Sequence, residues 1–69
     1  MDELELEGSE YIQLCDLLKT MGMCDTGGNA KIVISAGQVK VDEMVELRKR
    51  CKIRSGQIVE FDGQKVKVI

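Results

Sequence analysis

The chain has 69 residues, 43% of them hydrophobic, and carries 12 Asp and Glu against 10 Lys and Arg for a formal charge of −2. That length supports one domain with a thin core and no large enclosed substrate pocket, and the apolar content argues against wholesale disorder. No run approaches the ~18 consecutive apolar residues of a membrane span, so no membrane association is expected.

The N-terminus, MDELELEGSE, is acidic, whereas a secretory leader begins basic and turns apolar. The expected location is therefore the cytoplasm. Cys15, Cys24 and Cys51 are odd in number and widely spaced, with no CxxC pair and no histidine in the chain. Zinc would lack a ligand set, and a disulfide is foreign to a reducing compartment. No metal and no cofactor are expected, and the cysteines read as small core hydrophobes.

Charge is unevenly divided along the chain. Residues 1–18 hold Asp2, Glu3, Glu5, Glu7, Glu10 and Asp16 and no cation, so all 10 cations fall in residues 19–69, which are basic on balance. Leu4 and Leu6 alternate with acids, which suits a short edge strand or a frayed acidic tail over residues 1–8. Ser9 is a candidate cap for a first helix with an apolar stripe of Tyr11, Leu14, Cys15 and Leu18, prolonged by Met21 and ended by Gly22. Asp25 or Thr26 can cap a second helix with Ala30, Val33 and Ile34 inward and Gly37 as its left-handed terminator.

Beyond Gly37 the apolar period changes from 3.6 to 2. Val39 and Val41 point one way, Asp42-Glu43 allows a turn, and Val45 and Leu47 continue the alternation. Ser55-Gly56 marks another turn. Asp62-Gly63 is a strong two-residue hairpin signal between QIVEF and QKVKVI. The predicted fold is α+β: two short helices packed on a small, mainly antiparallel sheet, in a single domain over residues 1–69. No repeat or linker interrupts it.

Catalysis is not expected. The chain offers no histidine, no nucleophile–base pairing and no phosphate loop of the P-loop kind. Asp42, Glu43 and Glu46 fit a solvated turn better than an acid–base set. Binding is the better reading, and residues 48–54, RKRCKIR, carry it with five cations and no carboxylate. If extended, this run puts Arg48, Arg50, Lys52 and Arg54 on one face and Lys49, Cys51 and Ile53 on the other. Successive outer cations would then stand ~6.6 Å apart, comparable to phosphate spacing along a nucleic-acid strand. The competing reading is an edge strand guarded by charge against aggregation.

Gly27 and Gly28 in a first helical turn leave its N–H groups bare, a candidate phosphate site that Lys31 would reinforce; a permissive loop entry would look the same. Tyr11 and Phe61 are the only aromatics, and both suit core packing. Proteins that read single strands normally display an aromatic platform, so shape and backbone recognition of a folded RNA is the better fit.

Residues 12–61, and within them LCDLLK, AKI, GQVKVD and RKRCKI, resemble the alpha-L RNA-binding motif. That motif is named for a small-subunit ribosomal protein of the S-four type and occurs in pseudouridine synthases and tyrosyl-tRNA synthetase. The resemblance is closest to the small stand-alone bacterial members, the YbcJ-like proteins. It implies two helices and a strand forming an L that grips structured RNA, often ribosomal. Carried over by position, Lys31 matches a basic site of the second helix and Lys40 lies in the strand after it. Arg48, Lys49, Arg50 and Lys52 fit the basic segment that follows.

This chain also departs from the pattern. Gln13-Leu14-Cys15 stands where many members have Arg-Leu-Asp, Thr26-Gly27 replaces Ser-Arg, and Asp42-Glu43 replaces Asn-Gly. Two expected phosphate-reaching arginines are absent, which shifts weight toward residues 48–52. The reading from sequence is a monomeric, non-enzymatic module for structured RNA, ribosomal RNA or the ribosome among its partners, with no small-molecule substrate. The alternative is a protein-interaction module whose basic strand meets an acidic partner.

Overall fold

The computed structural model describes all residues from Met1 to Ile69. In chain order the elements are β1 (Asp2–Leu4), β2 (Ile12–Gln13), α1 (Leu14–Thr20), α2 (Gly27–Ser35), β3 (Val39–Val41), β4 (Met44–Val45), β5 (Lys52–Ile53), β6 (Ile58–Phe61) and β7 (Gln64–Val68). One sheet runs β1-β7-β6-β3-β4, and β2 and β5 form a separate two-stranded ribbon. All pairings are antiparallel except β1 with β7, which is parallel.

The helices end as local chemistry dictates. Gly22 and Gly37 adopt left-handed backbone, at φ 73° and 79°, which glycine reaches without a Cβ clash. Each closes a Schellman turn: Met23 and Gly22 N–H groups donate to the Leu18 and Lys19 carbonyls, and Gln38 and Gly37 N–H groups to those of Val33 and Ile34. At the front of α2 the cap is Thr26, whose Oγ1 accepts the Asn29 N–H at 3.1 Å. Leu14, Leu17 and Leu18 of α1 meet Ala30 and Ile34 of α2 and Val39, Val59, Val66 and Val68 of the sheet in one buried cluster. Each fully buried Leu, Ile or Val stabilises by roughly 1.5–3 kcal/mol.

Three expectations are corrected. The first helix does not begin at a Ser9 cap: Tyr11 lies outside it, Ile12–Gln13 is strand, and Gln13 caps without a side-chain hydrogen bond. Non-local partners supply what a cap would have given, because the N–H groups of Leu14 and Cys15 donate to the carbonyls of Cys51 and Lys49 at 2.9 and 3.1 Å. Second, strand alternation stops at Val45, and Val45 and Leu47 are 54% and 58% exposed rather than turned inward. Third, residues 48–54 are not one extended strand; only Lys52–Ile53 is.

The N-terminal segment forms an edge strand over Asp2–Leu4. It is tied further by Leu6 N–H to the Ile69 carbonyl at 3.0 Å and Ile69 N–H to the Leu4 carbonyl at 2.9 Å. Asp42 and Glu43 turn the chain with φ 51° and 70°, a conformation that disfavours side-chain-bearing residues. Asp42 compensates by accepting the Ile58 N–H at 3.0 Å. No helix is long and apolar enough to cross a membrane.

Candidate nucleic-acid interface

The basic run is built as a turn followed by a short strand. Chain reversal occurs at Lys49-Arg50, where the Cys51 N–H donates to the Arg48 carbonyl at 3.2 Å. Carbonyls of Lys49 and Cys51 point at the start of α1 and accept its first N–H groups. With its backbone acceptors committed inward, the turn sends its cations outward, and Arg48, Lys49, Arg50, Lys52 and Arg54 are all exposed. Arg48, Arg50 and Lys52 share an open depression of about 410 Å³ with Cys51. Three of the four cations expected on one face thus lie together, through a turn rather than a pleat, and Cys51, expected on the other face, lines the same depression.

Glu46 sits against this cluster and not in the solvated turn expected of it. Its Oε2 accepts from Arg48 Nε at 3.0 Å and its Oε1 from Arg48 Nη2 at 3.1 Å, a two-pronged pair that the Arg48 N–H extends at 3.0 Å. Arg48 remains 77% exposed and Glu46 only 18%. Hydrogen bonds from the Arg48 side chain and backbone hold the Glu46 carboxyl down from 4.5 to about 2. The signal in the sequence is the spacing, since Glu46 stands two residues before Arg48, which the side chains use for a paired contact rather than a solvated turn.

A pH titration tests this pair. Because the folded value is depressed, the pair stabilises fully above about pH 4.5 and that contribution is lost as pH falls through about 2. Following the Glu46 side-chain carboxyl by carbon NMR should give a midpoint near 2, and Arg48→Gln should return it toward the ordinary carboxylate range. Burial and the neighbouring Glu46 carboxylate push the Cys51 thiol up, which disfavours its thiolate.

The remaining predicted residues are placed as follows. Lys31 is half-buried in the second turn of α2. Lys40 is exposed on β3, on the sheet face opposite the buried Val39 and Val41, with Glu60 directly across on β6. Gly27 and Gly28 open α2, whose first turn holds no acid. A Cβ at Gly27 would meet nothing within 4 Å, and one at Gly28 would meet only Thr26 Oγ1 at 3.8 Å. Packing therefore does not demand glycine at either position. Tyr11 is corrected from a core residue to a partner of the basic cluster, with Lys52 Nζ 4.9 Å and Arg54 Cζ 5.8 Å from its ring centre. Phe61 does pack on the core.

The sequence over residues 4–69, which folds into these two helices, the sheet and the basic turn, matches the family model of the S4 domain. The chain belongs to the S4 domain family. Among S4-domain relatives, YbcJ of Escherichia coli K12 is 56% identical over 59 residues, which cover 86% of this chain and 84% of that protein. YbcJ of Shigella flexneri matches with the same values. The solution structure of E. coli YbcJ, described as revealing an alpha-L motif involved in RNA-binding, superposes with a TM-score of 0.77 at 51% identity, covering 100% of this chain and 87% of that one. The S4 domain described here thus has the alpha-L architecture expected from its sequence. At the two positions where the resemblance led to arginine being expected, Gln13 is half-buried opposite Lys52, and Gly27 leaves the head of α2 without a side chain.

Proposed function

We propose that this S4 domain binds structured RNA, with ribosomal RNA the expected class, through backbone phosphates and shape and without catalysing a reaction on it. The observation that carries the reading is the turn at 48–52, where backbone bonds to α1 fix the chain and Arg48, Arg50 and Lys52 converge on one open depression. A concentrated, exposed basic surface on an otherwise acidic chain is the electrostatic footprint of a nucleic-acid ligand. The description of YbcJ as RNA-binding, at 51% identity over the whole of this chain, supports it independently.

In this reading the contact set is Lys49, Arg50 and Lys52, with Arg48 beside them but already paired to Glu46 and so adding little net charge, and with Lys31 and the bare α2 N-terminus at Gly27 and Gly28 taking a further phosphate. Lys40 contributes least, because Glu60 faces it across the strands. The protein acts as a monomeric single domain in the cytoplasm, with its motif core at residues 12–61.

Amide chemical shifts during titration with a stem-loop RNA test the surface. Residues 48–52 should move together with Gly27, Gly28 and Lys31, and Lys40 should move less. Shifts confined to the β6–β7 hairpin would place the ligand elsewhere. A purified acidic protein partner that RNA cannot displace would favour the protein-interaction reading.

A further inference from the structure

The β2–β5 ribbon has two faces, and they are used differently. Ile12 pairs with Ile53 in register, and both turn toward the core, Ile53 completely buried and Ile12 packed against the cluster. By strand alternation the opposite face carries Gln13 and Lys52 and, one position on, Tyr11 and Arg54. Tyr11 is not among the residues packed on the core. Instead its ring lies 4.9 Å from Lys52 Nζ and 5.8 Å from Arg54 Cζ, within cation–π range for both.

We propose that Tyr11 is a positioning residue of the RNA-binding surface and that Arg54 belongs to that surface, the ring holding Lys52 and Arg54 together on the outward face of the ribbon. The inference rests on the RNA reading above. It turns on the difference between two ways of ordering a cation. Glu46 orders Arg48 with a carboxylate, which cancels its charge, and this is the only ion pair in the molecule. An aromatic face orders a cation without cancelling it, so Lys52 and Arg54 keep their full charge and their outer N–H donors for phosphate. Long side chains held this way lose less rotamer freedom when a ligand arrives.

The neighbourhood explains why ordering is needed. Tyr11 also lines a second shallow depression with Glu10 and Asp16, carboxylates that would attract the same ammonium and guanidinium groups. Held on the ring, Lys52 stays with Arg48 and Arg50 in the basic depression. Through Tyr11 and Arg54, the proposed surface runs from the 48–52 turn along the ribbon.

The test uses the full chain, a stem-loop RNA followed by fluorescence anisotropy at several salt concentrations, and proton NMR of the free protein. Tyr11→Phe should keep wild-type affinity and the ring-current displacement of the Lys52 and Arg54 side-chain methylenes. Tyr11→Leu should keep the wild-type melting temperature, lose that displacement, and bind about three- to tenfold more weakly, the cost of ordering one or two long side chains on binding. Arg54→Gln should lower the slope of log affinity against log salt by about 0.7 to 0.9. Wild-type affinity in Tyr11→Leu, or equal losses in the Phe and Leu variants, overturns the positioning role. A Tyr11→Leu chain that unfolds assigns the ring to the fold and overturns that role too. Arg54→Gln, at an exposed side chain, still decides whether Arg54 belongs to the surface, and an unchanged slope removes it. If the wild-type protein does not bind the stem-loop at all, the RNA reading itself falls. Binding that is indifferent to all three variants sinks only this inference.

Discussion

Replacing Lys49, Arg50 and Lys52 together by Gln is expected to lower the slope of log RNA affinity against log salt by about 2 to 3 units, while Arg48→Gln alone leaves it nearly unchanged. Each cation that neutralises a phosphate releases counterions worth about 0.7 to 0.9 of slope. Three free cations therefore account for the triple variant, with affinity falling on the order of a hundredfold at 0.1 M salt and converging with wild type toward 1 M. Arg48 differs because its guanidinium is already matched by both oxygens of Glu46, at 3.0 and 3.1 Å. A phosphate meeting it must displace a carboxylate of the same geometry, so little net charge is neutralised. These side chains are exposed, and melting temperatures should stay close to wild type. The loss should extend across unrelated RNA sequences, since phosphate contacts position a protein without reading bases. A triple variant that folds normally and keeps its affinity and slope would reduce the basic turn to a solubility feature.

The second large effect concerns Ile53. Between Val41 and Val59 it is the only buried residue, so it is the main side-chain anchor of the excursion that carries the basic turn, beside the half-buried Cys51, the pairing of β5 with β2 and the backbone bonds to α1. Ile53→Ala should cost about 2–5 kcal/mol through lost burial and a residual cavity. A chain this size commands a total of roughly 3–10 kcal/mol, so the variant should melt at least about 10 °C lower or fail to fold at 25 °C. Lys52→Ala, its neighbour on the exposed face, should change stability by less than about 0.5 kcal/mol. Thermal denaturation of the pair decides the matter. A well-folded Ile53→Ala protein with an unshifted transition would mean that the turn is held by its backbone bonds to α1 alone.

Much of the architecture was legible because it depends on neighbours in sequence. Gly22 and Gly37 announced both helix ends, since a Schellman turn is made within six residues of chain. The hairpin at Asp62-Gly63 and the inward valines of β3 follow from turn chemistry and period-2 alternation in the same local way. The clustering of cations at 48–54, and hence the class of ligand proposed, is visible in the order of residues alone, although the composition is acidic.

What the sequence could not determine is everything that depends on β2 meeting β5. The run RKRCKIR satisfies period-2 alternation throughout, so local physics allows a strand, and only the uncapped start of α1 explains why the chain turns. The first N–H groups of Leu14 and Cys15 need acceptors, and the carbonyls of Cys51 and Lys49 provide them. That one non-local match moves Tyr11 out of the predicted helix and onto Lys52 and Arg54. It also leaves Glu46 placed to neutralise Arg48. Sequence by itself determined the helix ends, the valine faces and where the positive charge lies. The tertiary structure decided which of those charges remain free, because pairing across a long separation is set by which unsatisfied backbone groups and apolar faces find each other, and no local pattern encodes that partner.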